Sequence, residues 1–171
     1  MSIPIRAFIA LGSNLEDPEF QVMRAFEDLA MLPSTALVAH SSLYVSAPVG
    51  NVQQPDFVNA VAEISTALPP RTLLDALFEI EHRYGRIRDL SGSGHGSPPN
   101  LPRTLDLDLL LYADLKLHQH GLTLPHPRMQ QRAFVLHPLL EIEPGCVIPG
   151  LGLAADFLPG CGAQSIRRLE G

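Results

Sequence analysis

A chain of 171 residues, 46% hydrophobic and 18% charged, is long enough to bury one core and too apolar to be disordered or fibrous. Its net charge of -6 argues against broad adhesion to nucleic acid or an anionic membrane and confines any anion site to a local basic pocket. Cys146 and Cys161 lack Cys-x-x-Cys spacing, suggest neither a zinc knuckle nor a disulfide framework, and read as structural. The opening MSIPIRAFIALGSN turns polar too soon for a signal peptide, and no apolar run approaches the ~20 residues of a membrane span. A cytoplasmic location is the expectation.

RAFIALGSN reads as a buried strand ending in a glycine turn, followed by apolar residues at helical spacing in LEDPEFQVMRAFEDLAML. Asn14 or Asp17 is placed to cap that helix, with Pro18 in its first turn. ALVAHSSLYVSAP and FVNAVAEISTAL are β-rich runs on either side of a polar loop and are expected to pair antiparallel. A second amphipathic helix fits PPRTLLDALFEIEHRYG, with Leu73, Leu74, Leu77, Ile80 and Tyr84 in one stripe and Gly85 as its stop.

The glycine, serine and proline of RIRDLSGSGHGSPPNLPR then predict a long surface loop, a length that in a compact domain usually signals function or disorder. TLDLDLLLY is a strand, ADLKLHQHGLTLPH resembles a hairpin, and RMQQRAFVLHPLLEI begins with a turn or short helix and continues apolar. The tail PGCVIPGLGLAADFLPGCG has weak periodicity, so residues 145–171 are taken as a peripheral extension of a single domain spanning 1–171. Strand, helix, strand, strand, helix, strand is the ferredoxin-like βαββαβ plan, an α+β fold with an antiparallel sheet covered by helices on one face, here carrying an added hairpin.

Within PRTLDLDLLL, side chains of a strand alternate between faces, so Asp106 and Asp108 are neighbours on one face while Leu105, Leu107 and Leu109 share the other. With their Cα atoms roughly 6.6 Å apart, two such charges repel by on the order of 2 kcal/mol at an effective dielectric of about 20. Divalent cations held by the pair and by phosphate oxygens would offset this. Hydration or pairing with arginines on an exposed face would do so too. Arg86, Arg88 and Arg103 flank the glycine-rich loop, and guanidinium groups bind phosphate bidentately, so acids, arginines and loop together describe a site for a metal-bound polyphosphate. The loop lacks a Walker pattern, and its glycines suit a lid over a nucleotide as well as plain disorder. His118 and His120 lack an identifiable third zinc ligand, whereas His126, followed by Arg128 and Arg132, is placed either to donate to a nucleotide or to form a turn.

GRIR at 85 to 88, PRTLDLDLLLY, LTLPHPRM with QRAF, FIALGSNL and SAPVGNVQQPDFVNAV together resemble the 6-hydroxymethyl-7,8-dihydropterin pyrophosphokinase family, in the family's order over about residues 7 to 150. The resemblance implies an enzyme of folate biosynthesis that transfers pyrophosphate from ATP to the pterin's hydroxymethyl group. It implies that Asp106 and Asp108 hold two Mg2+ ions and that Arg103, with Arg86 and Arg88, contacts phosphates, Arg103 and Arg86 counting with the two acids as catalytic. Glu81, Leu109, Thr123, His126 and Arg132 would line the ATP site together with those arginines. Pterin would lie between Phe57 and Phe134, with Asn59 on its polar edge and the backbone near Ser46, Ala47 and Val49 reading the rest. The partners so implied are small molecules, with no nucleic acid and no membrane, and the enzyme a monomer. The chain departs from the family pattern in having no tryptophan in the loop, in the longer insertion SGSGHGSPPNLP, and in Pro127 where relatives often carry tyrosine.

Overall fold

The computed structural model describes residues 3–15, 17–48, 55–85 and 105–169. Arg86, Arg88, Arg103, Val49 and the glycine-rich loop lie outside these described residues.

The first strand, β1 (Ile5–Ser13), is nearly all buried because it sits in the middle of a six-stranded sheet. It pairs antiparallel on one side with β4 (Phe57–Thr66) and on the other with β5 (Asp106–Tyr112). Two shorter strands, β2 (Thr35–His40) and β3 (Tyr44–Ser46), both pair antiparallel with β4, as expected for the two β-rich runs. The first run is nevertheless broken. Ser41 leaves the ladder as a hydrogen-bonded corner: its N–H donates to Val61 O and its Oγ accepts from Val61 N–H, both at 2.9 Å.

Helices α1 (Pro18–Ala30) and α2 (Pro70–Arg83) lie on one face of this sheet, where their apolar stripes meet Ala7, Ile9, Leu11, Leu107 and Leu109. Asp17 occupies the position before α1, but in a left-handed conformation (φ 63°) and without a side-chain cap; Asn14 Nδ2 instead donates to Pro55 O. Tyr84, predicted in the α2 stripe, packs against this core and donates to the Asp28 carboxylate of α1. Strands β6 (Leu117–Gln119) and β7 (Leu122–Leu124) form the expected hairpin, turned at Gly121 with φ 74°, a conformation glycine adopts without cost. Leu122 and Leu124 join the same core.

The opposite face is also covered, an addition to the one-sided plan. Helix α3 (Ala133–Ile142) brings Val135, Leu136 and Leu139 against Phe8, Ala10, Val61, Leu110 and Leu111. A register shift between Phe8 and Ile9 lets Leu110 and Leu111, adjacent in sequence, both enter this second core, where strict alternation would send Leu111 to the first. The tail taken as peripheral completes the layer. It forms the short pair β8 (Val147–Ile148) and β9 (Gly152–Leu153), then a 3-10 segment, Ala154–Cys161, that buries Ala154 and Cys161. It ends as β10 (Ile166–Arg168), which pairs with β3 at the sheet edge. Both cysteines are buried and unbridged, and burial raises their thiol pKa values. No helix among the described residues is long and apolar enough to cross a membrane.

Candidate active site

Strand β5 aligns Asp106 with Gly12 and Asp108 with Ala10 of β1. Leu107 and Leu109 between and beyond them point into the first core, as the alternation requires. The acids thus face the α3 side, half-buried, opposite two of the smallest side chains in the chain. Small residues leave space, and a cavity of about 560 Å3 opens there. Its lining includes Asp106, Asp108, Ala10, Gly12, Ser46, Ala47, Phe57, Asn59 and Phe134. A second, smaller cavity of about 270 Å3 lies beside it, formed by Leu109, Thr123, His126, Leu74, Phe78 and again Asp108.

Among the residues expected to take a pterin, Ser46, Ala47, Phe57, Asn59 and Phe134 are brought together in the larger cavity. Asn59 is almost fully buried and its orientation is set: Nδ2 donates to Ser46 Oγ at 2.7 Å, and a Cβ on Gly12 would lie 3.3 Å from Oδ1. Leu109, Thr123 and His126 meet in the smaller cavity. Arg132, assigned to the nucleotide with them, lies instead on the larger cavity, with its guanidinium over the Phe134 ring at 5.5 Å from the centroid. The structure places Glu81 behind β5, 1% exposed, with its carboxylate accepting the Leu107 N–H at 2.7 Å. Among the described residues β5 is the last strand of the sheet, and Glu81 answers one of its outward N–H groups.

His126 lines the smaller cavity. Its backbone N–H donates to Leu110 O at 2.9 Å, on the outer edge of β5. Burial first, then the positive charge of Arg132, push its pKa down to about 4; Asp106 pulls it upward, and Arg128 adds a smaller downward push. The ring is therefore neutral near pH 7. Its Nδ1 accepts the Arg128 N–H at 3.2 Å, which leaves the proton on Nε2 as a donor.

Asp106 and Asp108 offer hard oxygen donors, and among the described residues no group of three or more His, Cys, Asp or Glu side chains gathers to hold a metal. Such a pair suits Mg2+, which commonly takes one or two carboxylates and fills its octahedron with water and phosphate oxygens. It does not suit zinc, which favours nitrogen and sulfur.

Several lining residues escaped the sequence reading. Ala10 and Gly12 carried a signal, two small residues at alternate positions of a buried strand, but their meaning depends on the register with β5. Gln131 stood in the QRAF motif without a role, and Gln164, also on the larger cavity, carried no signal.

A model of the family described as 7,8-dihydro-6-hydroxymethylpterin-pyrophosphokinase matches residues 8–144. A Pseudomonas aeruginosa protein named 2-amino-4-hydroxy-6-hydroxymethyldihydropteridine pyrophosphokinase is 45% identical over 166 residues, 97% of this chain and 98% of its own. A Haemophilus influenzae protein of the same name is 47% identical over 154 residues, covering 90% of this chain and 91% of its own. The fold is also similar to a crystal structure of Plasmodium falciparum HPPK-DHPS wild type with pteroate, at TM-score 0.70 and 12% identity over 94% of this chain. This chain spans 43% of the length of that solved chain, and the likeness is one of fold. The chain belongs to the 7,8-dihydro-6-hydroxymethylpterin-pyrophosphokinase family.

Proposed function

We propose that this chain transfers pyrophosphate from ATP to the hydroxymethyl group of 6-hydroxymethyl-7,8-dihydropterin, giving AMP and the pterin diphosphate, a step of folate biosynthesis. The observation that carries this reading is that Asp108 lines both cavities. A heterocycle in the larger and a nucleotide in the smaller would meet at that carboxylate.

The larger cavity offers two aromatic side chains, Phe57 and Phe134, for a flat ring, and the buried Asn59 amide for its polar edge. Thr123 and the Nε2–H of His126 are the polar groups of the smaller cavity for ATP. Asp106 and Asp108 would hold the Mg2+ ions, two by the family's habit, whose bound charge neutralises the triphosphate. Arg86, Arg88 and Arg103 are assigned to the phosphates by their place in the sequence. Glu81 supports the site from behind through Leu107, and Leu109 and Arg132 contribute surface to the two cavities.

In the reaction the pterin hydroxymethyl oxygen attacks the β-phosphorus of ATP. An O–P bond forms there, the bond from the β-phosphorus to the bridging oxygen on the α-phosphate side breaks, AMP departs with that oxygen, and the alcohol proton passes to solvent. Positioning and charge complementarity carry most of the catalysis, as is general for phosphoryl transfer. The whole chain acts as one domain, a monomer working in the cytoplasm on small molecules rather than on nucleic acid or membrane.

Mixing the protein with ATP, Mg2+ and the reduced hydroxymethylpterin and following AMP tests this directly. AMP formed in step with the pterin diphosphate is expected; ATP consumption that ignores the pterin, or no AMP at all, refutes it.

A further inference from the structure

The α3 helix begins at a poorly secured corner. The chain leaves a three-residue 3-10 turn, Met129–Gln131, passes through Arg132 in an extended conformation, and starts the helix at Ala133 with no side-chain cap from the preceding residue. The first N–H groups of a helix have no partner within it, and such a start frays unless something else answers them. Here the answer comes from about thirty residues away. Gln164 Oε1 accepts the Ala133 N–H at 2.9 Å, and Gln164 Nε2 donates to Gln131 O at 2.7 Å. One amide side chain therefore closes both sides of the corner at once.

Gln164 is itself held from both directions. Its own N–H donates to Cys161 O at 3.0 Å, and Cys161 is buried in the second core. Two residues further on, Ile166 pairs with Ser46, the serine that orients Asn59. The amide sits between a core anchor and a strand anchor, and it also lines the larger cavity beside Phe134, the residue that follows Ala133. It lies beyond the residues 8–144 matched by the family model.

We propose that Gln164 is a positioning residue for the pterin pocket: it clamps the start of α3 so that Phe134 is held ready to stack on the heterocycle. This rests on the reading of the larger cavity as the pterin site. The smaller, nucleotide-side cavity has no contribution from Gln164, so the effect is selective between the two substrates.

The test compares Gln164→Leu, which keeps the bulk and loses both bonds, with Gln164→Glu, which keeps an acceptor for Ala133 and loses the donor to Gln131. The Leu variant is expected to raise KM for the dihydropterin about tenfold, the equivalent of one ordinary hydrogen bond, while KM for ATP stays within about twofold. The Glu variant should show a smaller rise in the same direction, and it decides alone if the Leu variant does not fold. Pterin KM within about twofold of wild type in the folded variants, or a parallel rise in both KM values, overturns the proposal. A wild-type protein that forms no AMP refutes the underlying site reading instead, so the two failures are distinguishable.

Discussion

On one face of β5, Leu107 and Leu109 are buried against α2 and the hairpin and give only backing to the smaller cavity; on the other, Asp106 and Asp108 remain half-buried beside the larger one. Both faces follow the same two-residue period, and both lie against β1. The difference comes from what stands opposite. Ile9 and Leu11 of β1 fill the first face, whereas Ala10 and Gly12 leave the second open. Polar side chains at alternate positions mark where a site can form, but the small residues across from them make room for a ligand.

Replacing the acids should break this contrast most severely. Asp106→Asn and Asp108→Asn are each expected to lower AMP formation by about 100- to 1,000-fold, the usual loss when charge stabilisation of a transition state is removed. Urea midpoints should hardly move, since both side chains border the larger cavity rather than pack in a core. Near-normal turnover in both variants would remove the metal assignment. The next largest effect tests the leucine face: Glu81→Ala leaves the Leu107 N–H without its buried acceptor and should cost about 1 to 3 kcal/mol in chemical denaturation. Glu81→Gln, which keeps an acceptor oxygen, should cost less.

Phe134→Ala is expected to weaken pterin binding about tenfold with little change for ATP, which titration of pterin fluorescence would read. Gly12→Ala should sharpen the comparison at smaller scale. Its Cβ would stand 3.3 Å from Asn59 Oδ1, so a loss of a few-fold in pterin affinity with near-wild-type stability is anticipated. The last effect, confined to acid pH, concerns His126. Its pKa lies at about 4 in the folded protein against an ordinary 6.5, so as pH falls the unfolded chain takes up the proton first. Stability present above pH 6.5 is lost progressively toward pH 4, and His126→Gln should flatten that part of the stability profile. An unchanged profile would show that the ring does not titrate as a buried neutral group.

Much of this was legible because local periodicity and tertiary role agree. The stripe Leu73, Leu74, Leu77, Ile80 predicts a helix and buries as one, and the alternation through Asp106 and Asp108 sets the face on which they lie. Legibility failed where a residue's role depends on a distant partner. Ser41 interrupts a β-rich run because Val61 accepts and donates to it, which no local pattern reveals. Pro138 sits inside α3 and hid a helix that tertiary packing supports. Strand β10 has three residues and a partner some 120 positions earlier, and Gln164 acquires its place only once that pairing is formed. The buried contact of Glu81 with the Leu107 N–H follows from β5 being the outer strand among the described residues, a property of topology rather than of spelling.

That outer position carries a consequence for association. An edge strand invites another chain to extend the sheet, and docking there would hold Asp106 and Asp108 in a foreign register. Here the Glu81 carboxylate occupies the Leu107 amide and the His126 amide occupies the Leu110 carbonyl, so two of the groups a visiting strand would need are already engaged. The contacts that brace the strand bearing Asp106 and Asp108 leave fewer of its groups open to sheet extension.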